Sequence, residues 1–225
     1  MDPLDSNLTI IIPAYNEEAA IGKVIEEVRA LPLKCRVLVG DNASSDSTYN
    51  TVESYGIEPV RVRQKGKGNV IKALIKRVDT PYTVMINADY TYPLDSLLFI
   101  YNLLKNLQAD VVIGCRQFKE PGSMTAANTF GNWCLSLLAS ILYRKRVYDL
   151  CSGMWAFKTE YLQKFHIVSK EFTLEADFFI NLVKNKCRLE QVPISYRRRL
   201  DNSKAKLKIS DGFKIGWFLI HRRFK

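Results

Sequence analysis

Three carboxylates, Glu17, Asp41 and Asp89, each stand at or just beyond the end of a short apolar run. Such placement suits a site for a polar, phosphate-bearing ligand. The first lies in Pro13-Ala14-Tyr15-Asn16-Glu17-Glu18. Proline fixes a turn there, tyrosine offers a face for stacking, and the two glutamates also suit the positive end of a following helix. The second opens Asp41-Asn42-Ala43-Ser44-Ser45-Asp46-Ser47-Thr48. Ser45 or Asp46 serves as a helix N-cap, whereas Asp41, at the strand end, is placed to accept hydrogen bonds from a base or ribose. The third lies in Asn87-Ala88-Asp89-Tyr90-Thr91-Tyr92-Pro93. In an extended segment residues 87, 89 and 91 point to one side. Three oxygen-bearing side chains so aligned suit Mg²⁺ or Mn²⁺ bridging a diphosphate; the alternative is a polar turn capping the next helix. Between the second and third lies Gln64-Lys65-Gly66-Lys67-Gly68-Asn69. Its glycines allow close backbone approach to a ligand and its lysines add positive charge, although it is neither GxGxxG nor a P-loop.

Each segment has a bland local explanation. Three carboxylates ending strands and converging on one edge do not. The elements between them give that convergence. Apolar runs read as strands at Leu8 to Ile12, Arg36 to Val39, Val60 to Val62, Tyr82 to Ile86 and Val111 to Gly114. Helical periodicity joins them at Ile21 to Leu31, Ser47 to Tyr55, Gly68 to Val78 and Leu94 to Asn106. Alternating strand and helix with short connections implies right-handed crossovers and a mainly parallel sheet covered on both faces. Ligands of such sheets bind beyond the carboxyl ends of the strands. From about Gln117 the pattern changes: a helix over Phe130 to Tyr143, a strand over Gly153 to Lys158, a helix over Ala176 to Lys186 and a strand over Leu189 to Ile194. A basic stretch from Arg197 to Lys206 and an amphipathic basic tail, Ile209 to Phe224, follow.

The 225 residues fit one α/β domain or a domain plus a small appendage, and the change of pattern divides the chain into about 1–115 and about 116–225. A formal net charge of +10 favours an anionic partner. The 5 cysteines are widely spaced without a CxxC, which argues against a zinc site or disulfide framework and for a reducing compartment. The start, Met1-Asp2-Pro3-Leu4-Asp5, is too acidic and polar for a secretory signal. No uncharged apolar run reaches the roughly 18 residues of a membrane-spanning helix. The expectation is a cytoplasmic protein.

These segments resemble glycosyltransferase family 2, which has the GT-A fold. Pro13 to Glu17 is similar to the family's Pro-x-Tyr-Asn-Glu opening, and Asp41 to Thr48 to its Asp-(Asp/Asn)-x-Ser-x-Asp-x-Thr segment. Gly66 to Gly68 resembles its Gly-Lys-Gly turn, and Asn87-Ala88-Asp89 its Asp-x-Asp metal motif. Later segments resemble the polyprenyl-phosphate (dolichyl-phosphate) branch: Gly114-Cys115-Arg116, Gly131-Asn132, Asp149 to Trp155, Phe172 to Glu175, Val192 to Tyr196, Arg199, Asn202-Ser203-Lys204 and Asp211-Gly212. Two departures stand out. Asn87 replaces the first aspartate of the metal motif, and Asp201 stands where the basic turn usually has glycine.

The resemblance implies inverting transfer from a nucleoside diphosphate sugar to a polyprenyl phosphate. Pro13, Tyr15, Glu17 and Asp41 would hold base and ribose, with Gly68, Asn87 and Ala88 completing the nucleotide site. Asp89, with Asn87 and Thr91, would hold Mg²⁺ or Mn²⁺ on the diphosphate. Arg116 would lie near the phosphates or the acceptor, with Ser152, and Arg199 and Lys204 would close over the diphosphate. An anionic lipid phosphate needs no strong general base; an alcohol would, with Glu175 or Asp149 as candidates. The helix over Phe130 to Tyr143 either covers the sheet or lies in a membrane interface, where Arg144-Lys145-Arg146 and the terminal His221-Arg222-Arg223-Phe224-Lys225 would meet anionic headgroups. That places the chain peripherally on the cytoplasmic face of a membrane. A saccharide or protein acceptor is the alternative within the family. A distant alternative is a non-catalytic nucleic-acid binder using the basic tail, but nucleic acid is not an expected partner: that reading leaves the converging carboxylates unexplained, and they would repel phosphates unless a metal intervened.

Overall fold

The computed structural model describes residues 7–200 and 209–225. Lys204, and the departure at Asp201, therefore lie outside the described residues. The described residues form seven strands and eight helices, alternating except for the consecutive α6 and α7: β1 (Leu8–Ala14), α1 (Ile21–Ala30), β2 (Arg36–Asp41), α2 (Thr48–Ser54), β3 (Val60–Arg61), α3 (Lys67–Ile75), β4 (Tyr82–Met85), α4 (Leu97–Lys105), β5 (Val111–Lys119), α5 (Ala126–Tyr143), β6 (Trp155–Lys158), α6 (Thr159–Lys164), α7 (Leu174–Lys184), β7 (Leu189–Tyr196) and α8 (Ile209–Arg223). The strands form one sheet in the order β3-β2-β1-β4-β6-β5-β7.

Neighbouring pairs are parallel except where β6 enters. It runs antiparallel to both β4 and β5. The mainly parallel GT-A architecture is as expected from the sequence; the reversed strand is a feature the sequence reading lacks. Its cause is the connection after α5. Residues 144–154 carry the chain back to the carboxyl edge, where Arg116 meets Asp149, so β6 starts opposite Met85 and descends. That reversal brings Ser152 and Gly153 to the edge where β1, β2 and β4 end.

Side-chain alternation along β1 divides the core. Leu8, Ile10 and Ile12 pack with Val24, Ile25 and Val28 of α1 and with α4. Ile11 faces the other side, with α3, α7, Trp155 and Phe157, and with Ala139 and Tyr143 of α5 and Ile215 and Leu219 of α8. Other boundaries shift locally. α5 begins before Phe130 because the Thr125 side chain caps it, accepting from Asn128 N at 3.1 Å. α6 is a short helix that lacks a readable apolar period. Among the described residues no helix is long and apolar enough to cross a membrane.

At the edge away from the acidic loops, Asp110 ties three elements together. Its carboxylate accepts from Lys158 Nζ (2.8 Å), Arg188 Nη2 (2.8 Å) and Arg188 N (2.9 Å). The Arg188 hydrogen bonds, aided by Lys158 and opposed by burial, hold its carboxyl well below the usual carboxylate range. A depressed folded-state pKa contributes stability above the unfolded value of about 3.9 and loses it as pH falls further. Asp110→Ala is expected to cost about 3 kcal/mol in urea unfolding at neutral pH, because Lys158 is left nearly buried without a counter-charge. The wild-type advantage over the variant should shrink below about pH 4.

Candidate active site

The β1 and β2 exits are riveted together. Asn16, in the left-handed region at φ 49°, donates its N–H to Ser44 Oγ (3.0 Å) and accepts from Ser45 N (2.8 Å). Glu17 N donates to Thr48 Oγ1 at 2.8 Å. Asp46 Oδ1 accepts from Thr48 N and its hydroxyl, and Asp46 Oδ2 accepts from Glu18 N. The N-cap of α2 is Ser47, whose side chain makes no capping bond, rather than the expected Ser45 or Asp46; Asp46, one residue earlier, accepts from Thr48 and joins the loops. Asp41 is nearly buried at the end of β2, and its Oδ1 accepts from Ser44 N at 3.3 Å. Beside it Asn42, which the sequence reading did not single out, donates to Gln64 O (3.0 Å) and accepts from Gly66 N (2.7 Å). Asn42 thereby hangs the glycine turn from the end of β2. Its signals in the sequence are an amide directly after a strand and the second position of the Asp-(Asp/Asn)-x-Ser-x-Asp-x-Thr segment.

The glycine turn corrects one expectation. The backbone that approaches it is the chain's own. Gly66 has φ 122°, and a Cβ there would lie 2.0 Å from Lys170 O. A Cβ on Gly68 would lie 2.3 Å from Ser169 O, and Gly68 N donates to Lys170 O at 3.0 Å. Gly68 is therefore packed on the connection before α7 and not held open for a ligand. The packing aims Lys67 into the site, where its ammonium donates to Asn87 Oδ1 (2.9 Å) and Glu175 Oε1 (2.6 Å).

The expected extended run over residues 87–91 is a turn. Tyr90 takes φ 62°, and Thr91 donates its N–H and hydroxyl to Asp89 Oδ1 at 3.2 and 2.6 Å. The run is therefore not extended, although the Thr91 hydroxyl stays beside the Asp89 carboxylate. Asn87 lies against Gly153, where a Cβ would come within 2.2 Å of its Nδ2. Ala88 is buried in the core. Asp89 is nearly buried, and its Oδ2 pairs with Arg199 Nη2 at 2.5 Å, while Arg199 Nη1 stands 3.6 Å from Glu17 Oε1. One guanidinium thus bridges the carboxylates of β1 and β4, neighbours in the sheet. The preceding arginines go elsewhere: Arg197 pairs with Glu27 of α1 at 2.6 Å, and Arg198 N donates to Glu120 at 2.8 Å. Tyr15 is half-buried, with Lys65 Nζ 5.5 Å from its ring centre.

Asp89 fits a divalent cation, because its Oδ2 already faces a cationic group. The guanidinium occupies that ground, and Lys67 takes the amide oxygen of Asn87. The Asp89 carboxylate, with the amide and hydroxyl oxygens of Asn87 and Thr91 as weaker donors, would hold a cation.

Arg116 and Asp149 form a closed pair. Arg116 N and Nε donate to Asp149 Oδ2, both at 2.8 Å, Nη2 donates to Oδ1 at 2.6 Å, and Asn132 adds a bond of 2.9 Å. Burial pushes the Asp149 carboxyl up, but Arg116 and these hydrogen bonds outweigh it and hold it below the ordinary value. Ser152, expected against the diphosphate or acceptor, is fully buried. Its hydroxyl donates to Gly114 O and accepts from Met154 N, so it fastens β5 to the start of β6. Burial also pushes the Cys115 and Cys151 thiols up to about 12, so neither is primed as a nucleophile.

A family model described as Glycosyl transferase family 2 matches residues 9–165. Protein RfbJ of Shigella flexneri is 40% identical over 111 residues, 49% of this chain and 86% of that protein. Dolichyl-phosphate hexose transferase of Haloferax volcanii is 29% identical over 198 residues, 88% of this chain and 86% of its own length. Glycosyltransferase AglJ of the same organism is 30% identical over 227 residues, 99% of this chain and 74% of its own. Among solved structures, glucosyl-3-phosphoglycerate synthase from Mycobacterium tuberculosis with phosphoglyceric acid superposes with a TM-score of 0.77 at 19% identity, covering 98% of this chain and 81% of that one. The same enzyme with Mn²⁺ and uridine-diphosphate-glucose gives 0.74 at 19%, covering 97% and 78%. At that identity the likeness is one of fold.

Two substitutions test this geometry. Gly66→Ala, strained in φ and blocked by Lys170 O, is expected to lower stability by roughly 2–4 kcal/mol in urea unfolding; a change near zero would contradict the packing. Arg199→Ala removes the competitor for Asp89 and is expected to raise affinity for Mn²⁺ alone by about tenfold, or 1.4 kcal/mol, in an electron paramagnetic resonance titration. Unchanged or weaker binding would contradict the competition.

Proposed function

The chain belongs to glycosyl transferase family 2, and from that premise we propose that it transfers a sugar, with inversion, from a nucleoside diphosphate sugar to a polyprenyl (dolichyl) phosphate. One observation carries the choice of acceptor. The two carboxylates that would serve as a base toward an alcohol are both spent in ion pairs: Asp149 on Arg116 at 2.6 Å and Glu175 on Lys67 at 2.6 Å. A phosphate acceptor arrives already ionised and needs no such base. The relative named a dolichyl-phosphate hexose transferase, matched over most of both chains, supports the same acceptor class.

In this reading the base and ribose lie over Pro13, Tyr15, Glu17 and Asp41, beside Asn87 and Ala88. Bound through Asp89, with Asn87 and Thr91, Mg²⁺ or Mn²⁺ would supply positive charge to the diphosphate. Arg199 leaves Asp89 for the diphosphate and, with Lys67, offsets the negative charge that develops as the bond from the anomeric carbon to the diphosphate breaks. An oxygen of the acceptor phosphate forms the new bond from the opposite side, and the nucleoside diphosphate departs with the bonding pair. A single displacement inverts the configuration. Arg116 orders the acceptor side of the edge through Asp149, and Glu175 holds Lys67 in place. A lipid-borne acceptor requires the chain to work at the cytoplasmic face of a membrane.

Asp89→Ala is expected to lower turnover roughly 100- to 1000-fold. Glu175→Gln should keep kcat within about tenfold of wild type, and the rate should rise through the second ionisation of the acceptor phosphate near pH 6 and then level. Initial rates with a short-chain isoprenyl phosphate over pH 5 to about 8 check both. A Glu175→Gln loss as large as that of Asp89→Ala, or efficient transfer to a neutral saccharide, would contradict the assignment.

A further inference from the structure

We propose that Asp177, in the first turn of α7, is a positioning residue for Lys67, acting through the backbone of residues 168–170 and the glycine turn. The use of Lys67 at the diphosphate rests on the transfer reading above; the packing that places it stands on its own geometry.

A carboxylate is costly where this one lies. Asp177 is fully buried, and its neighbours Ala176 and Phe178 belong to the apolar core. Burial pushes its carboxyl above the ordinary value, against the hydrogen bonds of Ser169 and Val168 and the charges of Arg222 and His166. Replacing buried ionic groups by apolar side chains is often neutral or stabilising, so folding stability alone does not account for it.

What Asp177 holds is backbone. Its Oδ2 accepts from Val168 N at 2.7 Å and from Ser169 N at 2.8 Å. One helical turn on, the nearly buried Asn181 accepts from His166 N at 2.8 Å and donates to Asp177 Oδ1 at 3.1 Å. The Ser169 and Thr173 hydroxyls are bonded to each other at 2.8 Å. The connection between α6 and α7 is thus fixed from the inner face of α7.

The glycine turn rests on that connection. Gly68 N donates to Lys170 O at 3.0 Å, and a Cβ on Gly66 or Gly68 would meet Lys170 O or Ser169 O at 2.0 or 2.3 Å. Packing this close passes any shift of residues 169 and 170 to both glycines. Lys67 stands between them, with its ammonium on Asn87 Oδ1 and Glu175 Oε1. Glu175 and Asp177 lie two residues apart on α7. The same turn of helix therefore grips Lys67 twice, at the ammonium through Glu175 and at the backbone through Asp177 and the connection.

α8 supplies the counter-charge. Arg222 Nη2 stands 3.7 Å from Asp177 Oδ1, and Arg222 Nε is buried with no hydrogen-bond partner among the described residues. The guanidinium offsets the carboxylate from beyond hydrogen-bond distance and leaves its oxygens to the backbone and Asn181.

The test is a double-mutant cycle on the full chain: wild type, Lys67→Ala, Asp177→Asn and the two combined. Titration calorimetry with UDP and with GDP, each with Mn²⁺, gives affinity, and initial rates with a short-chain isoprenyl phosphate give kcat and KM. Asp177→Asn should weaken nucleotide binding about five- to tenfold in the wild-type background and less than about twofold in the Lys67→Ala background. The fall in kcat should follow the same pattern, with the acceptor KM within about twofold of wild type. Without any ligand, the Gly68 amide should exchange its hydrogen at least about tenfold faster in Asp177→Asn. Losses that multiply with that of Lys67→Ala, as a merely structural role requires, or unchanged exchange at Gly68, would overturn the proposal. If Asp177→Asn does not fold, Arg222→Gln replaces it in the cycle, with a loss of about threefold that vanishes in the Lys67→Ala background. No loss, or a loss that persists there, would overturn it equally. If exchange and binding follow expectation while no phosphate acceptor is used, the transfer reading falls and the positioning role remains.

Discussion

The bridge from Arg199 to Glu17 and Asp89 answers the problem that shapes this protein. A parallel sheet that places acidic residues at the ends of neighbouring strands gathers nearly buried negative charge on one edge, and such charge must be compensated. β1 and β4 are direct neighbours, so Glu17 and Asp89 fall within reach of a single guanidinium. That placement requires everything around it to hold still. Asn16, Asp46 and Thr48 lock the β1 and β2 exits together, Asn42 suspends the glycine turn, and Gly66 and Gly68 let the connection before α7 press in close.

The same rule extends across the molecule. Several other acids are matched by a cation: Asp149 by Arg116, Glu175 by Lys67, and at the far edge Asp110 by Lys158 and Arg188, whereas the nearly buried Asp41 accepts from the backbone N–H of Ser44. These pairs are not equivalent. Arg116–Asp149 is bidentate and reinforced by Asn132 and a backbone N–H, so it belongs to the scaffold. Arg199 and Lys67 keep about a quarter of their side-chain surface exposed and face the mouth of the site. In the proposed reaction Arg199 exchanges a carboxylate for the diphosphate, while Glu175 keeps Lys67 in place. Asn87 fits that division of labour: an aspartate there would set a second carboxylate against Lys67, whereas the amide accepts its hydrogen bond without taking its charge.

Much of this was legible in the sequence because apolar periodicity marks buried elements directly. β1 to β4 and the helices between them follow from it, and the carboxyl-edge rule then brings Glu17, Asp41 and Asp89 together. What escaped has physical reasons. The direction of β6 is set by the path of residues 144–154, and Trp-Ala-Phe-Lys carries no mark of polarity. The glycines at 66 and 68 announce a close approach but not what approaches, which is a segment remote in sequence. In Arg197-Arg198-Arg199 three identical side chains follow one another, yet only the geometry assigns Arg197 to Glu27 and Arg199 to Asp89. The turn at Tyr90 escaped because a non-glycine residue at positive φ leaves no compositional trace.

In the proposed reaction an acidic edge trades an internal cation for a metal-bound diphosphate. Isothermal titration of the chain with nucleoside diphosphate sugars, with and without Mn²⁺, tests this most directly. Saturable one-to-one binding that tightens with Mn²⁺ and disappears in Asp89→Ala is the predicted result. Binding unaffected by both the metal and Asp89→Ala, or no saturable binding to any nucleotide sugar, would contradict it.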